Sequence, residues 1–430
     1  MLLLMASYVF YFLAGASYLP YIFVTTVSTY LIARKITSLQ LVVEAYIKEH
    51  KKELSREERK EYKAKEKKKQ WRLLLLCLFI NIGILAVLKY TNFAISNVNS
   101  VMGLFGSDKQ FGFLDLALPM GISFYTFQTM GYLIDVYRGK YEAEKNPFRF
   151  ALFVSFFPHI SSGPIILKDD FFPLLQELKS SAKTDWDRLG SGLYLFFCGL
   201  GKKILIADVL AKGVDYTYGN LSSVNATTAL LASLLFTLQI YFDFSGYSDM
   251  AIGVARMLQL DLPVNFNSPY KAVTITDFWD RWHMTLTRFL TRYLYIPLGG
   301  NRVGKGRQLL NIFVVWMLTG FWHGAEWNFI IWGLMFGVLL IVEKNFFLDK
   351  LKKSKVLSHI YLLVIIGISF VIFNAGSTAQ MLSDLLGLVG LGNANGLAGV
   401  EFLYYAKSYG WILLISIVGA TTLPKTIYGK

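Results

Sequence analysis

The sequence predicts an all-α, polytopic transmembrane protein. Hydrophobic residues make up 54% of the 430-residue chain and charged residues only 17%, whereas soluble domains carry about 25% charged residues. Phenylalanine, tyrosine and tryptophan are abundant, with 34, 25 and 9 copies. Apolar stretches that approach or exceed the roughly 20 residues of a membrane-spanning helix recur along the whole chain.

Eleven apolar segments follow one another and predict roughly ten or eleven membrane segments, within a single membrane domain covering 1–430. Gly15 and Pro20 separate the first two segments. Polar and glycine-containing interruptions in the later segments predict re-entrant or broken helices. The segments are 1–14, 19–33, 72–90, 112–134, 148–167, 188–211, 227–257, 308–322, 328–345, 357–376 and 408–424.

The formal net charge of +14 follows the positive-inside rule, by which cytoplasmic loops collect lysine and arginine. Segment 48–72 holds 12 basic and 6 acidic residues, a net charge of +6. It predicts a helical cytosolic loop beside anionic lipid headgroups. The basic stretch 281–307 is expected to face the cytosol or lie at its interface. Because membrane topology explains the charge, a nucleic-acid partner is not expected.

The sequence also lacks the common metal and nucleotide signatures. Cys77 and Cys198 lie in separate apolar segments and form neither a disulfide framework nor a metal-binding pattern. P-loop, dinucleotide, HExxH and GxSxG motifs are absent. His323 and Glu326 are three residues apart, but no second pair completes a ligand set. We therefore expect no metal site.

His323 is the leading functional candidate, because ionisable residues are costly inside apolar segments. It lies in "TGFWHGAEWN" (319–328), 16 residues after Arg307 and 21 before Lys344, or about 24 and 31 Å along a helix. The neighbouring glycines and polar residues predict a helix break, which is tolerated at that depth only within protein or beside water. We expect His323 to line a pocket or tunnel. The alternative is a histidine that bonds neighbouring helices.

A second histidine, His283, lies in "DFWDRWHMTLTRFLTRYLYIPLGGNR" (277–302). On a continuous helix, Arg281, Arg288 and Arg292 would share one face and His283 would lie on another. The arginines could then meet headgroups or phosphates while the histidine points towards protein. An interfacial amphipathic helix with a packed histidine explains the same pattern equally well.

Gln128 belongs to a polar stripe on the apolar helix predicted at 121–139, together with Tyr125, Tyr132 and Asp135. The stripe could line a cavity, but bonding between helices is favoured.

Asp243 and Asp249 lie in the apolar stretch 241–257. Arg256 follows Asp249 by seven residues, which predicts an ion pair between them. Asp243 has no obvious partner in the sequence and is therefore a candidate for ligand binding.

The stretch 277–302, followed about twenty residues later by "GFWHGAEWNFIIWGLMFG", resembles the membrane-bound O-acyltransferase (MBOAT) superfamily, and most of all its alginate O-acetyltransferase branch. The resemblance covers 115–345 and includes "SFYTFQTMGYLIDVYRG", "FFPHISSGPI", "GLGKKILIADVLA" and "YFDFSGYSDMAIG". It implies an acyltransferase of the MBOAT fold, with re-entrant or broken helices around a central tunnel and a deeply placed histidine in that tunnel. The Ser-Ser-Gly-Pro of "FFPHISSGPI" is closer to the D-alanyl transferases of teichoic acid modification, so the acceptor polymer stays open.

The resemblance also implies the roles of residues and partners. It places the family's WHG histidine at His323, as the general base, and its RWH histidine at His283, in an assisting role. It implies acetyl transfer from acetyl-CoA or another acyl-CoA or acyl-carrier donor, without a bound cofactor. The acceptor would be a hydroxyl of an extracellular or envelope polysaccharide, reached with an extracytoplasmic partner protein at the bacterial plasma membrane. Further candidates for substrate binding are Trp282, Trp322, Asp280, Arg281, Arg288, Arg292, Gln128 and Asp243.

A transporter or flippase is the alternative from another functional class. It would also carry polar residues and broken helices within the membrane. It should, however, show two related halves with paired discontinuous helices, and the sequence contains no such repeat.

Overall fold

The computed structural model describes residues 1–180, 185–219, 224–351, 353–391 and 396–428. Within these ranges the regular structure is helical and contains no β-strand, which confirms the predicted all-α class. The chain divides into two compact units, Met1–Ala182 and Lys183–Lys430. That both act as a single membrane domain stays a prediction.

The N-terminal unit is built around an antiparallel pair of long helices, α2 and α3. Its helices are α1 (Leu2–Ala14), α2 (Leu19–Glu49), α3 (Arg56–Leu104), α4 (Ile122–Tyr137), α5 (Pro147–Ser155) and α6 (Lys168–Ser180). Helix α3 has 49 residues and is therefore about 73 Å long, well beyond the 30 Å of a hydrocarbon core. Its charged N-terminal turns and its apolar C-terminal part form one continuous helix. A capping box formed by Ser55 and Glu58 stabilises the start of this helix. The predicted basic segment 48–72 is thus mostly helical.

The C-terminal unit is organised around α9, against which α7, α8, α15, α16 and α17 pack. Its helices are α7 (Trp186–Gly201), α8 (Asp208–Gly219), α9 (Ala226–Met257), α10 (Ile275–Trp279), α11 (Met284–Leu290), α12 (Lys305–His323), α13 (Trp327–Val342), α14 (Leu348–Leu351), α15 (Lys355–Asn374), α16 (Thr378–Leu388), α17 (Val400–Ala420) and α18 (Leu423–Tyr428).

Six helical stretches of the described chain are long and apolar enough to cross a membrane, which supports the predicted multi-pass character. They are Ala16–Glu49, Arg56–Leu104, Ala226–Met257, Trp327–Leu351, Lys355–Asn374 and Val400–Ala420. The segments predicted at 112–134 and 148–167 are each only partly helical, because α4 begins at Ile122 and α5 ends at Ser155. The total of ten or eleven membrane segments stays a prediction.

Helices α7 and α9 pack closely because glycines face each other at two points. A Cβ atom on Gly192 would lie 2.8 Å from the Gly253 carbonyl oxygen, and one on Gly199 would lie 2.5 Å from that of Gly246. Real Cβ atoms do not approach backbone so closely, so these positions accept only glycine unless the helices separate. Small residues at such crossings let membrane helices gain dispersion contacts and interhelical hydrogen bonds.

We predict that Gly199→Ala destabilises the protein by about 1–3 kcal/mol, as overpacking of a close-packed interface does. The measurement is the unfolding temperature of the protein purified in detergent. Gly190→Ala is the matched control, because Gly190 lies in the same helix with nothing within 4 Å of its Cβ position. There the better helix propensity of alanine should leave stability unchanged or slightly raised. Equal effects of both substitutions would contradict this account of the crossing.

Candidate active site around two histidines

The predicted helix break at His323 is present, since α12 ends at His323 and α13 begins at Trp327. Two glycines allow the chain to reverse so tightly. A Cβ atom on Gly320 would lie 2.3 Å from the Phe329 carbonyl oxygen, and one on Gly324 would lie 2.0 Å from the Phe329 ring. Gly324, which follows His323, must therefore be a glycine, because any side chain there would clash with the Phe329 ring. The sequence places His323 at a fixed backbone position at the end of a helix.

Aromatic rings surround the His323 imidazole. Its centroid lies 4.9 Å from Trp322, 5.1 Å from Trp332 and 5.4 Å from Phe373, all in edge-to-face orientation. Trp332 belongs to α13 and Phe373 to α15. The residue nevertheless keeps partial exposure. His323 is thus held among apolar groups without being fully buried.

The second histidine, His283, takes an unusual backbone conformation. It lies between α10 and α11 with φ 46° and ψ 49° and is only 2% exposed. A non-glycine residue in this left-handed region costs on the order of 1–3 kcal/mol, and such outliers cluster at functional sites. The prediction of one continuous helix through 281–292 is therefore wrong. The helix is interrupted because the Met284 N–H donates to the Asn265 carbonyl, at 3.0 Å, instead of to its own helix.

Asn265 organises the surroundings of His283, and the sequence analysis missed it. Its Oδ1 accepts hydrogen bonds from His283 Nδ1 (3.2 Å), the Thr285 N–H (3.2 Å) and Thr285 Oγ1 (3.0 Å). Its Nδ2 donates to Ser248 Oγ on α9, at 3.3 Å. No motif marks this asparagine in "LPVNFNSPY". Only the tertiary structure brings it to a histidine 18 residues away.

The structure brings the two histidines into one neighbourhood although 40 residues separate them in the sequence. The Trp322 ring packs against both imidazoles, and its centroid lies 6.4 Å from that of His283 and 4.9 Å from that of His323. Burial, which is the larger cause, and the nearby His323 together lower the pKa of His283 to about 3. His283 is therefore uncharged at neutral pH.

An open cavity of about 660 Å³ borders the chain that follows His283, beginning at Met284. Its walls include Asp280, Arg288 and Arg292, three of the residues predicted to meet the donor. Thr285 also lines it, and this threonine shares the Asn265 oxygen with His283. One asparagine side chain therefore connects the wall of the cavity to the buried imidazole.

Arg281 does not join the other two arginines. It lies in the turn before His283, and its Nε donates to Asp277 Oδ1 at 2.7 Å. The predicted shared face of Arg281, Arg288 and Arg292 is wrong, because the left-handed residue rotates the chain between them.

The two candidate tryptophans differ in their surroundings. Trp322 touches both imidazoles, as described above, whereas Trp282 packs in the aromatic core. The Trp282 ring lies 5.1 Å from Phe266, 5.4 Å from Phe370 and 5.5 Å from Phe278. Trp322 therefore lies at the site, where its role in substrate binding stays a prediction, and Trp282 anchors the chain on which His283 sits.

Gln128, in the N-terminal unit, makes the interhelical bond that its polar stripe predicted. Its side-chain nitrogen donates to the Phe153 carbonyl of α5 at 2.6 Å, and the Tyr132 hydroxyl accepts from the Glu144 N–H at 2.7 Å. Both side chains are buried. These contacts favour the structural interpretation over ligand binding.

The acidic residues of α9 have partners on the neighbouring segment. Lys203 Nζ bonds Asp243 and Lys202 Nζ bonds Asp249, each at 2.6 Å. Arg256 bonds Asp261 instead, at 3.1 Å. The predicted Asp249–Arg256 ion pair is therefore wrong, and the reason to expect Asp243 to bind a ligand disappears. In the described ranges, no three His, Cys, Asp or Glu side chains form a group that could hold a metal ion.

Comparisons with known proteins point to one family. The model of the MBOAT, membrane-bound O-acyltransferase family, matches residues 144–374. A peptidoglycan O-acetyltransferase of Helicobacter pylori is 36% identical over 90% of this chain and 73% of its own length. A probable alginate O-acetylase of Azotobacter vinelandii is 39% identical over 71% of this chain. A teichoic acid D-alanyltransferase of Bacillus subtilis is 32% identical over 55% of it. The match spans 60% of the alginate relative and 61% of the D-alanyltransferase.

Proposed function

Because this chain belongs to the membrane-bound O-acyltransferase family, we propose that it transfers an acetyl group from acetyl-CoA to hydroxyls of a cell-envelope or secreted polysaccharide. The enzyme class, an acyltransferase in a multi-pass membrane protein, follows from the family and replaces the transporter alternative. One observation carries the rest of the proposal. The partly exposed His323 lies beside His283, whose hydrogen-bond network reaches a cavity bordered by Arg288 and Arg292.

The acceptor class rests on the relatives. Two of the relatives given above are named as O-acetylating enzymes, one of peptidoglycan and the other of alginate. Both polymers are glycans, which argues for a sugar hydroxyl as the acceptor. We propose that an extracytoplasmic protein completes delivery to the polymer. The D-alanyltransferase alternative has support from a lower identity over a shorter stretch.

In the proposed reaction, His323 acts as the general base. The acceptor hydroxyl oxygen attacks the thioester carbonyl carbon while the imidazole takes the hydroxyl proton. The tetrahedral intermediate then collapses, the carbon–sulfur bond breaks, and the imidazolium returns the proton to the leaving thiolate. The thioester supplies the driving force, so no cofactor is needed. His283 assists, either by positioning the donor or by polarising its carbonyl. A relay through a covalent acyl-histidine at His323 is the alternative course.

The donor's phosphates are assigned to the cavity. Arg288 and Arg292 border it, and guanidinium groups bind phosphate oxygens through charge-assisted hydrogen bonds. Acetyl-CoA carries its phosphates far from its thioester. This arrangement would anchor the nucleotide end at the arginines and leave the acetyl end for the histidines. Asp280 lies at the same cavity, and its contribution to donor binding stays a prediction.

We predict that His323→Ala lowers acetyl transfer by a factor of about 10²–10⁴, the usual contribution of a positioned general base. The protein should reach normal abundance in the membrane. The measurement is transfer of radiolabelled acetyl from acetyl-CoA to polysaccharide by purified protein reconstituted with its partner. His50→Ala is the control, because His50 is the C-cap residue of α2 in the N-terminal unit. Transfer close to the wild-type rate would remove His323 from the mechanism.

We predict that the double substitution Arg288→Ala with Arg292→Ala raises the KM for acetyl-CoA by tenfold or more. Charged hydrogen bonds contribute about 1.5–3 kcal/mol each. Arg281→Ala is the matched control, since Arg281 is bonded to Asp277. S-acetyl-pantetheine, which lacks phosphate, should react equally poorly with wild type and the double variant. A uniform loss with both donors would contradict the phosphate assignment.

The acyl group is identified by analysing which esters the glycan product carries. Cells with and without this gene should differ in ester-linked acetate on their envelope or secreted glycans and not in ester-linked alanine. A change in alanine alone would establish the D-alanyltransferase alternative.

A further inference from the structure

The contacts of Asn265 determine which ring nitrogen of His283 carries its proton. A backbone N–H can only donate, so the Asn265 side-chain atom facing the Thr285 N–H must be the oxygen. The same oxygen faces His283 Nδ1, at 3.2 Å. Nδ1 must therefore carry the hydrogen. In a neutral imidazole the other nitrogen, Nε2, then has the lone pair.

We propose that Asn265 is a positioning residue that fixes His283 as the Nδ1–H tautomer, so that Nε2 acts as a hydrogen-bond acceptor towards the substrate. This inference rests on the proposed function and chooses between the two roles given to His283 there. Polarising a carbonyl requires a donated hydrogen, which Nε2 of this tautomer lacks. His283 therefore holds the donor, accepting a hydrogen bond from an amide N–H of its thioester arm.

The surroundings of Asn265 fit a fixed, preorganised group. Its side chain is fully buried, and Ser248 of α9 ties its nitrogen in place. Its backbone oxygen holds the Met284 N–H, so the same residue also maintains the left-handed conformation of His283. Phe244, at 4.8 Å, and Trp322, at 6.4 Å, flank the imidazole edge to face. These contacts leave the ring little room to flip, which a fixed tautomer requires.

The first test reads the tautomer directly, without activity. The chain has five histidines, so uniform ¹⁵N-histidine labelling gives few signals, and His283→Gln identifies those of His283 by difference. We expect a protonated, pyrrole-type Nδ1 and an unprotonated, pyridine-type Nε2 in the wild-type NMR spectrum. The reverse pattern would overturn the proposal. The tautomer is read in the wild-type protein, so the result does not depend on whether an Asn265 variant folds.

The second test is Asn265→Asp, which preserves shape and can still accept the three hydrogen bonds. The new carboxylate favours the imidazolium and should raise the pKa of His283 by about 1–3 units. Once protonated, Nε2 can no longer accept a hydrogen bond. The acidic limb of the pH–rate profile should therefore move to higher pH, with activity recovering as pH rises. His323, the titratable neighbour of His283, is the same in both proteins.

Asn311→Asp is the matched control. Asn311 is also a buried asparagine, but it lies on α12 and donates to the Leu298 carbonyl at 3.0 Å. Its profile should keep the wild-type acidic limb. If Asn265→Asp also keeps that limb while His283→Ala is inactive, the positioning role is wrong and the proposed function stands. If His283→Ala transfers acetyl at the wild-type rate, the assisting role in the proposed function fails first.

Discussion

The interrupted backbone at His323 is the constraint on which the rest of this site depends. Hydrocarbon offers no hydrogen-bond partners, so each unpaired backbone group there costs several kcal/mol unless protein or water satisfies it. A chain that stops a helix at His323 and restarts it at Trp327 within an apolar run therefore needs protein or water to satisfy the backbone groups at the gap. The Gly324 N–H donates to the Gly320 carbonyl at 3.4 Å, and the Phe329 ring packs on Gly324. The aromatic rings around His323 complete the same enclosure.

A different device holds the second imidazole. His283 sits in a left-handed conformation that a histidine rarely adopts, and a side chain from a separate loop stabilises it. Both histidines therefore lie at interruptions of the helical backbone: His323 is the last residue of α12, and His283 directly precedes α11. The two devices also share a partner, because Trp322 precedes one histidine and contacts the other. A shift of the backbone at either interruption would therefore move both imidazole rings.

The sequence is informative where a local energetic cost marks a residue. A histidine beside glycines within an apolar run predicts the break at His323, and that break is present. The sequence misleads where tertiary contacts override a local pattern. Helical spacing grouped Arg281 with Arg288 and Arg292, but spacing cannot reveal a left-handed residue that is not glycine. Asn265 was missed because its partners lie about 20 residues away and no local cost marks it.

The acidic residues of α9 also show that helical spacing alone does not predict tertiary contacts. Residues seven apart on a helix are separated by about 10.5 Å along the axis, so Asp249 and Arg256 face each other only at a distance. Lys202 reaches Asp249 because the glycine contact between Gly199 and Gly246 brings its helix within touching distance. A Cβ atom on Gly246 would lie only 3.1 Å from the Lys202 Cβ. The packing of small residues thus decides the ion pairing of large ones.

The contrast between the two ends of the site suits a reactive thioester. In the proposed reaction, the aromatic rings around His323 would limit the access of water that competes with the acceptor hydroxyl and would strengthen the remaining electrostatic interactions. Towards the cavity the neighbours are arginines, where the phosphates of the proposed donor would bind. Between them stands an imidazole that burial keeps neutral. A charged histidine there would need a counter-ion, whereas a neutral one can accept a hydrogen bond from the donor and release it again after each transfer.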